Sequence, residues 1–182
     1  SLSVLGSITG GTNSKSLASN NFTFGLGGTP GEIDMSFARD GLTGASVGAN
    51  NIVRAISIQS DGKILIGGHF TTYAGVTRQG IARLNTDGSL DNTFDSSSGV
   101  GGSYPFVSAI SIQSDGKILI GGAFTSYAGV TRQGIARLNT DGSLDTSFDS
   151  SSGASGGREI TSVYAISIQS DGKILIGGDF AS

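Results

Sequence analysis

"SIQSDGKILIGG" stands at Ser57–Gly68, and the same twelve letters return unchanged at Ser111–Gly122 and Ser167–Gly178. The period inside the stretch is two. In "AISIQ" (55–59), Ile56 and Ile58 fall on one face of an extended strand, and Ser57 and Gln59 fall on the other. Asp61-Gly62 then sits between two apolar runs, the strongest short signal for a hairpin. "KILIGGHF" follows and is apolar on both faces, as a central buried strand is. Gly67 and Gly68 remove side chains where something packs closely or the strand bends.

Working outward, "TTYAGVTRQG" (71–80) reads as a loop, "IARLN" as a third strand, "TDGS" as a second turn and "LDNTFD" as a short fourth strand at an edge. No window carries helical spacing. Four short antiparallel strands in about 50 residues make a blade of the β-propeller kind, which buries its faces only against neighbours. The expected fold is therefore all-β: tandem four-stranded antiparallel β-propeller-like blades in an incomplete array, with an extended N-terminal segment. Ile56, Ile58, Ile64, Ile66, Ile81, Leu84 and Phe94, with their equivalents in the next copy, are the expected core.

The copies are nearly identical. Across the 45 positions of Ala55–Gly99 and Ala109–Gly153, four pairs differ: His69/Ala123, Thr72/Ser126, Asn92/Thr146 and Thr93/Ser147. Their starts lie 54 residues apart, and the third copy starts 56 further on, at Ala165. A worn half-copy, "GEIDMSF" at Gly31–Phe37, matches "GSLDNTF" at Gly88–Phe94. The expected division is thus an attachment segment at 1–30 and repeats over 31–182, in units of about 38–94, 95–148 and a truncated 149–182. Too few blades are present to close a ring of about four to eight. The start without Met and the stop inside a unit lead us to expect a portion of a longer protein.

Composition narrows the function classes. Eleven Lys and Arg against 14 Asp and Glu leave no basic footprint for nucleic acid. Without cysteine, neither disulfides nor a thiolate metal site can form. No apolar run is long enough for a membrane span. The 31 glycines, roughly twice the usual share, fall at fixed places in the repeat and read as turn punctuation rather than as a flexible linker.

The combination "SDGKILIGGxF…IARLNTDGSLDxxF" resembles the delta-60 repeat, a β-propeller-type repeat, over residues 31–182. Such repeats occur in large bacterial surface proteins and in bacteriophage fibre-like virion proteins. The resemblance brings no catalytic residues, so none is carried over.

Several residue patterns invite a chemical role. His69 is the single histidine, but Ala123 and Asp179 replace it in the other copies, so the expected reading is an exposed strand-end residue. Asn85, Asp87 and Asp91, repeated as Asn139, Asp141 and Asp145, place oxygen atoms at alternate positions, as a calcium loop does. The EF-hand spacing is not met, and a turn in which Asp accepts from its own backbone is the simpler reading. No cofactor is expected otherwise. Arg78, Arg83, Arg132 and Arg137 could bind anions, but pairing with Asp91, Asp95, Asp145 and Asp149 is preferred. No serine has a base in evident reach, so no catalytic residue is assigned.

The copies disagree most in the connections between units, Arg39–Asn51, Ser96–Val107 and Ser150–Val163. Tyr104, Phe106, Arg158 and Tyr164 are the residues there suited to contact, and recognition in blade arrays gathers on such connections. Drift in unconstrained loops explains the same variation. If the connections carry recognition, a Gly/Ser linker is expected to replace Ser96–Val107 with little loss of stability and a fall in binding. The function expected is non-enzymatic, structural and adhesive: an extracellular phage tail-fibre or virion appendage subunit. Residues 1–30 would attach it to virion or surface assembly proteins, with homo-oligomers and a host receptor or glycan as further partners. A bacterial surface or secreted adhesin is the alternative, and a propeller hydrolase with its site in absent blades is a third.

Overall fold

The structure, a computed structural model, describes residues 48–96, 98–148 and 159–181. Expectations for the attachment segment, the half-copy at 31–37, the connection from Arg39 and Arg158 lie outside these residues. Within them the chain is all-β. In the first unit, β1 (Val53–Ile58) and β2 (Ile64–Gly68) are followed by the short β3 (Thr72–Tyr73), β4 (Val76–Thr77) and then β5 (Ile81–Leu84). In the second, β6 (Val100–Gly101) precedes β7 (Phe106–Ile112), β8 (Ile118–Ala123), β9 (Ser126–Tyr127), β10 (Val130–Thr131) and β11 (Ile135–Leu138). The third holds β12 (Glu159–Ile168) and β13 (Ile174–Ala181).

Each repeated dodecapeptide folds as the expected hairpin. β1 pairs with β2, β7 with β8 and β12 with β13, all antiparallel. Gly62 donates its amide to the Gln59 carbonyl at 2.9 Å and takes φ +83°, while Asp61 Oδ1 accepts from the Lys63 amide at 3.0 Å. The left-handed glycine closing a tight turn is why Asp-Gly works here.

The central strand accepts the third strand on its other edge, giving sheets of order β1-β2-β5 and β11-β8-β7. The expected fourth strand contracts to one bridge, between Leu84 and Leu90 and again between Leu138 and Leu144. The cause is Asp91, which turns inward to bind Arg83 and Lys63 and so ends the extension. The expected loop at 71–80 is instead partly a two-stranded ribbon, β3-β4, turning through left-handed Ala74 and Gly75.

Side chains sort by the strand alternation. Ile56, Ile66 and Ala82 lie opposite one another, as do Ile58, Ile64 and Leu84, so all six share the leading face of the first sheet. Leu65, Gly67 and Ile81 lie on its trailing face. Leu65 and Ile81 are fully buried against Val107, Ile118, Ile120, Ala136 and Leu138 of the second unit. The trailing face of the second unit meets the third in the same way, Ile135 packing with Val163, Ile166, Ile174 and Ile176. Two of the described core clusters therefore lie between units, and a further one, built on Ile66, Phe70, Tyr73, Ala82 and Leu84, lies within the first.

That location corrects one expectation. Ile56 and Ile58 are 67 % and 69 % exposed, whereas their counterparts Ile110 and Ile112 are partly buried. The residues are the same type in both copies. They differ because the second leading face has the trailing face of the first unit before it. Ile66, Ile81, Leu84 and Phe94 are buried as expected.

Candidate functional site

Three structural devices meet at one end of each hairpin, the end away from the Asp-Gly turn. The first is a bulge. The register slips between Val53 and Ala55, between Val107 and Ala109, and between Val163 and Ala165. The extra residues are Arg54, Ser108 and Tyr164, a different side chain in each copy. The second is a backbone crossing made possible by glycine. A Cβ on Gly68, Gly122 or Gly178 would overlap the carbonyl oxygen of Ile52, Phe106 or Ser162. The third is the position just beyond that glycine, occupied by His69, Ala123 and Asp179. Bulges re-aim side chains, and these gather the variable positions of each hairpin at one rim.

In the third unit the two variable positions touch directly: the Tyr164 hydroxyl donates to Asp179 Oδ2 at 2.8 Å. In the first, the His69 ring stacks on Phe106 of the next unit, with centroids 4.4 Å apart. The Arg54 guanidinium carbon lies 5.0 Å from the same ring centroid, a cation–π distance. His69 is thus half-buried in an aromatic and cationic cluster, which corrects the expectation of an exposed strand end. Burial, followed by the Arg54 charge, pushes its imidazole below the usual range. Its Nε2 atom is buried without a hydrogen-bond partner in the structure.

Beside this cluster a cleft of about 400 Å³ is lined by Asn51, His69, Thr71, Gln79, Tyr104 and Pro105, among others. Tyr104 stands at its margin, 88 % exposed. The cleft combines an aromatic face with amide, hydroxyl and imidazole groups, chemistry suited to a polar ligand with an apolar face. The structure thus brings Tyr104 and Phe106 into one neighbourhood, together with His69, Asn51 and Gln79. Tyr164 belongs to the third unit and is engaged with Asp179. The disagreement between copies at position 69 was the sequence signal for His69.

The connection that carries Tyr104 is no free loop. Val100 and Val107 are buried, β6 pairs with β9, and Gly99 crosses the Gln79 backbone. A Gly/Ser linker would remove two core side chains, so the expected exchange without loss of stability does not hold.

The other candidates are engaged in structure. Asp91 Oδ2 accepts from Lys63 Nζ at 2.8 Å and from Arg83 Nε at 2.7 Å. Its Oδ1 accepts from the Thr93 amide and hydroxyl. Burial raises the Asp91 pKa, but these donors outweigh it and hold the carboxyl far below the usual range. At Asp145, Lys117 and then Ser147 lead the same lowering, with Arg137 adding to it. Asp87 Oδ1 accepts from the Ser89 amide and hydroxyl, and Asn85 Nδ2 donates to that hydroxyl; Asn139, Asp141 and Ser143 repeat the arrangement. Among the described residues no group of three His, Asp or Glu stands close enough to hold a metal. The preferred arginine–aspartate pairing appears in Arg83–Asp91 and Arg137–Asp145, while Arg78 Nη1 donates to the Thr77 carbonyl.

Two three-stranded sheets of near-identical sequence, each completed by a bridge and locked by one internal ion cluster, with a third hairpin stacked after them, define a β-propeller-type repeat protein. Residues 59–94, 113–148 and 169–182 match the family model described as "Domain of unknown function (DUF5122) beta-propeller". Comparison with curated proteins finds no match for the chain.

Proposed function

We propose that this chain is a non-enzymatic structural and adhesive module. Its kinship would be with delta-60 repeats, and its place an extracellular phage tail fibre or other virion appendage. One observation supports the reading: the residues at the bulge and just beyond the second glycine, which differ between copies, stand at one end of each hairpin, and in the first unit they adjoin a cleft with an exposed aromatic. The recurring charges are spent on one another. The Lys63–Asp91–Arg83 cluster and its copy Lys117–Asp145–Arg137 hold the sheets together. A module that keeps its frame constant and varies its rim suits recognition more than turnover.

Each rim would bind weakly, and many copies along a fibre would supply avidity. A host glycan is the ligand class that the Tyr104 ring and its amide neighbours fit. Residues 1–30 would attach the module to its assembly.

The test is glycan-array and host-cell binding by the chain and by Tyr104→Ala. An exposed ring contributes little to folding, so the melting temperature should stay within a degree or two, and binding should fall at least tenfold. Binding unchanged in this variant, or absent from the native chain, overturns the reading.

A further inference from the structure

The contact between successive units is a knob in a hollow, and it occurs twice. Val107 and Ile110 of the second unit stand over Gly67 of the first. A Cβ placed on Gly67 would lie 2.6 Å from Val107 Cγ1 and 3.1 Å from Ile110 Cδ1. Val163 and Ile166 stand over Gly121 in the same manner, at 2.7 Å and 3.0 Å. Val107 and Val163 are completely buried by this fit.

The same two parts recur once more, and among the described residues neither has a partner. Val53 and Ile56 are the equivalents of the knob, and they are 38 % and 67 % exposed. Gly177 is the equivalent of the hollow, and only the Ala165 Cβ, at 3.7 Å, lies near its missing side chain. Beside it Leu175 is 53 % exposed, whereas its counterparts Leu65 and Leu119 are fully buried. Among the described residues, then, the hollow on the third unit is unfilled and the knob on the first unseated, each copied from parts that fit within the molecule.

We propose that these two surfaces dock between molecules: the Val53/Ile56 knob of one copy seats in the Gly177 hollow of a second copy, burying Leu175. The interface is head-to-tail, because knob and hollow are different surfaces. Such an interface leaves a free hollow and a free knob after every addition, so it builds open stacks or closes into rings. This surface is distinct from the attachment role given to residues 1–30.

Sedimentation velocity over a range of concentrations tests it. The native chain should show a sedimentation coefficient that rises with concentration. Ile56→Glu and Leu175→Glu each place a charge in the contact and should move association to at least tenfold higher concentration. Mixed, the two variants retain one good knob and one good hollow, so they should form a dimer and nothing larger. A native chain that stays monomeric overturns the proposal. So does association that only Ile56→Glu weakens, which would mean knob against knob, or a mixture that forms no dimer.

Cysteine pairing reads the geometry without relying on the charged variants. The chain contains no cysteine. At the seated contact the Gly67 Cβ position lies 3.0 Å from Val107 Cβ, so a small separation of the two surfaces brings the pair into the spacing of about 3.5–4.5 Å that a disulfide takes. Oxidising a mixture of Val53→Cys and Gly177→Cys chains should join one of each. Failure to do so, or equal joining within either variant alone, overturns the proposal.

Discussion

Asp91 shows how a single residue does the work that a fourth strand was expected to do. Its carboxylate ends the extension after Leu90 and accepts from Lys63 on the hairpin and Arg83 on β5, tying three segments at one atom. Arg83 continues the chain of contacts by donating to the Thr140 carbonyl at 2.6 Å in the second unit. Its guanidinium also lies over the Phe94 ring, 4.8 Å from the centroid. Replacing Asp91 with Ala strands a guanidinium that is 8 % exposed. The expected loss is about 3 kcal/mol, the lower end for a broken buried pair because water reaches Lys63; urea denaturation measures it. The pH dependence has a definite sign. The depressed carboxyls of Asp91 and Asp145 bind fewer protons folded than unfolded. Their stabilisation is complete above the unfolded carboxyl pKa of about 4 and is lost as the pH falls toward the depressed folded values. Melting temperature should therefore fall steeply below about pH 4, and less steeply in Asp91→Ala. An equal slope in both proteins would remove Asp91 from the account.

At the scale of elements, the short ribbons are anchored by tyrosines. Tyr73 donates its hydroxyl to the Gly88 carbonyl at 2.7 Å, and Tyr127 to the Gly142 carbonyl at 2.8 Å. Each bond joins a ribbon to the turn before the Leu-Asp segment. Tyr127 is fully buried, and burial, with Asp95 and Asp141 nearby, pushes its phenol well above the usual range, so it stays a donor. Tyr127→Phe leaves the ring in place and the Gly142 carbonyl short of a donor. The expected cost is about 1–3 kcal/mol by denaturant titration, and a cost near zero would mean that water replaces the hydroxyl. In the sequence the ribbon looks like a loop, because two-residue strands have no periodicity to detect. The hairpins were legible because Asp-Gly between apolar runs permits few alternatives. The bulge was not, since nothing in "VRA", "VSA" or "VYA" marks an extra residue; it becomes visible only from the pairing with Gly67 and Gly68.

At the scale of the molecule, much of the described core lies between units, so identical residues carry different weight in different copies. Ile110, the counterpart of Ile56, packs on the core between the first two units beside the fully buried Ile120, whereas Ile56 stands exposed on the leading face. Ile120→Ala should cost about 2–5 kcal/mol, as a core truncation does. Ile56→Ala should cost less than about 0.5 kcal/mol in the dissociated chain. Denaturant titration of both variants at low protein concentration makes the comparison, and equal losses would contradict an inter-unit core. The contrast also bears on function: the parts that hold units together are copied, and the rim around the cleft is where copies diverge.

By itself the sequence determined the repeat, the hairpin at each Asp-Gly, the all-β class and the apolar positions of the strands. These follow from periodicity and turn chemistry, which act over a few residues. It also pointed to Tyr104 and Phe106, because near-identical copies make any departure conspicuous. Only the tertiary structure decided which isoleucines are buried, that Asp91 replaces a strand, and that His69 stacks on Phe106 of the next unit. It alone showed that Val100 and Val107 make the connection part of the core. The physical reason is common to all of these. Burial and contact depend on what stands opposite a face, and here that partner lies in the neighbouring unit, some 50 residues away along the chain.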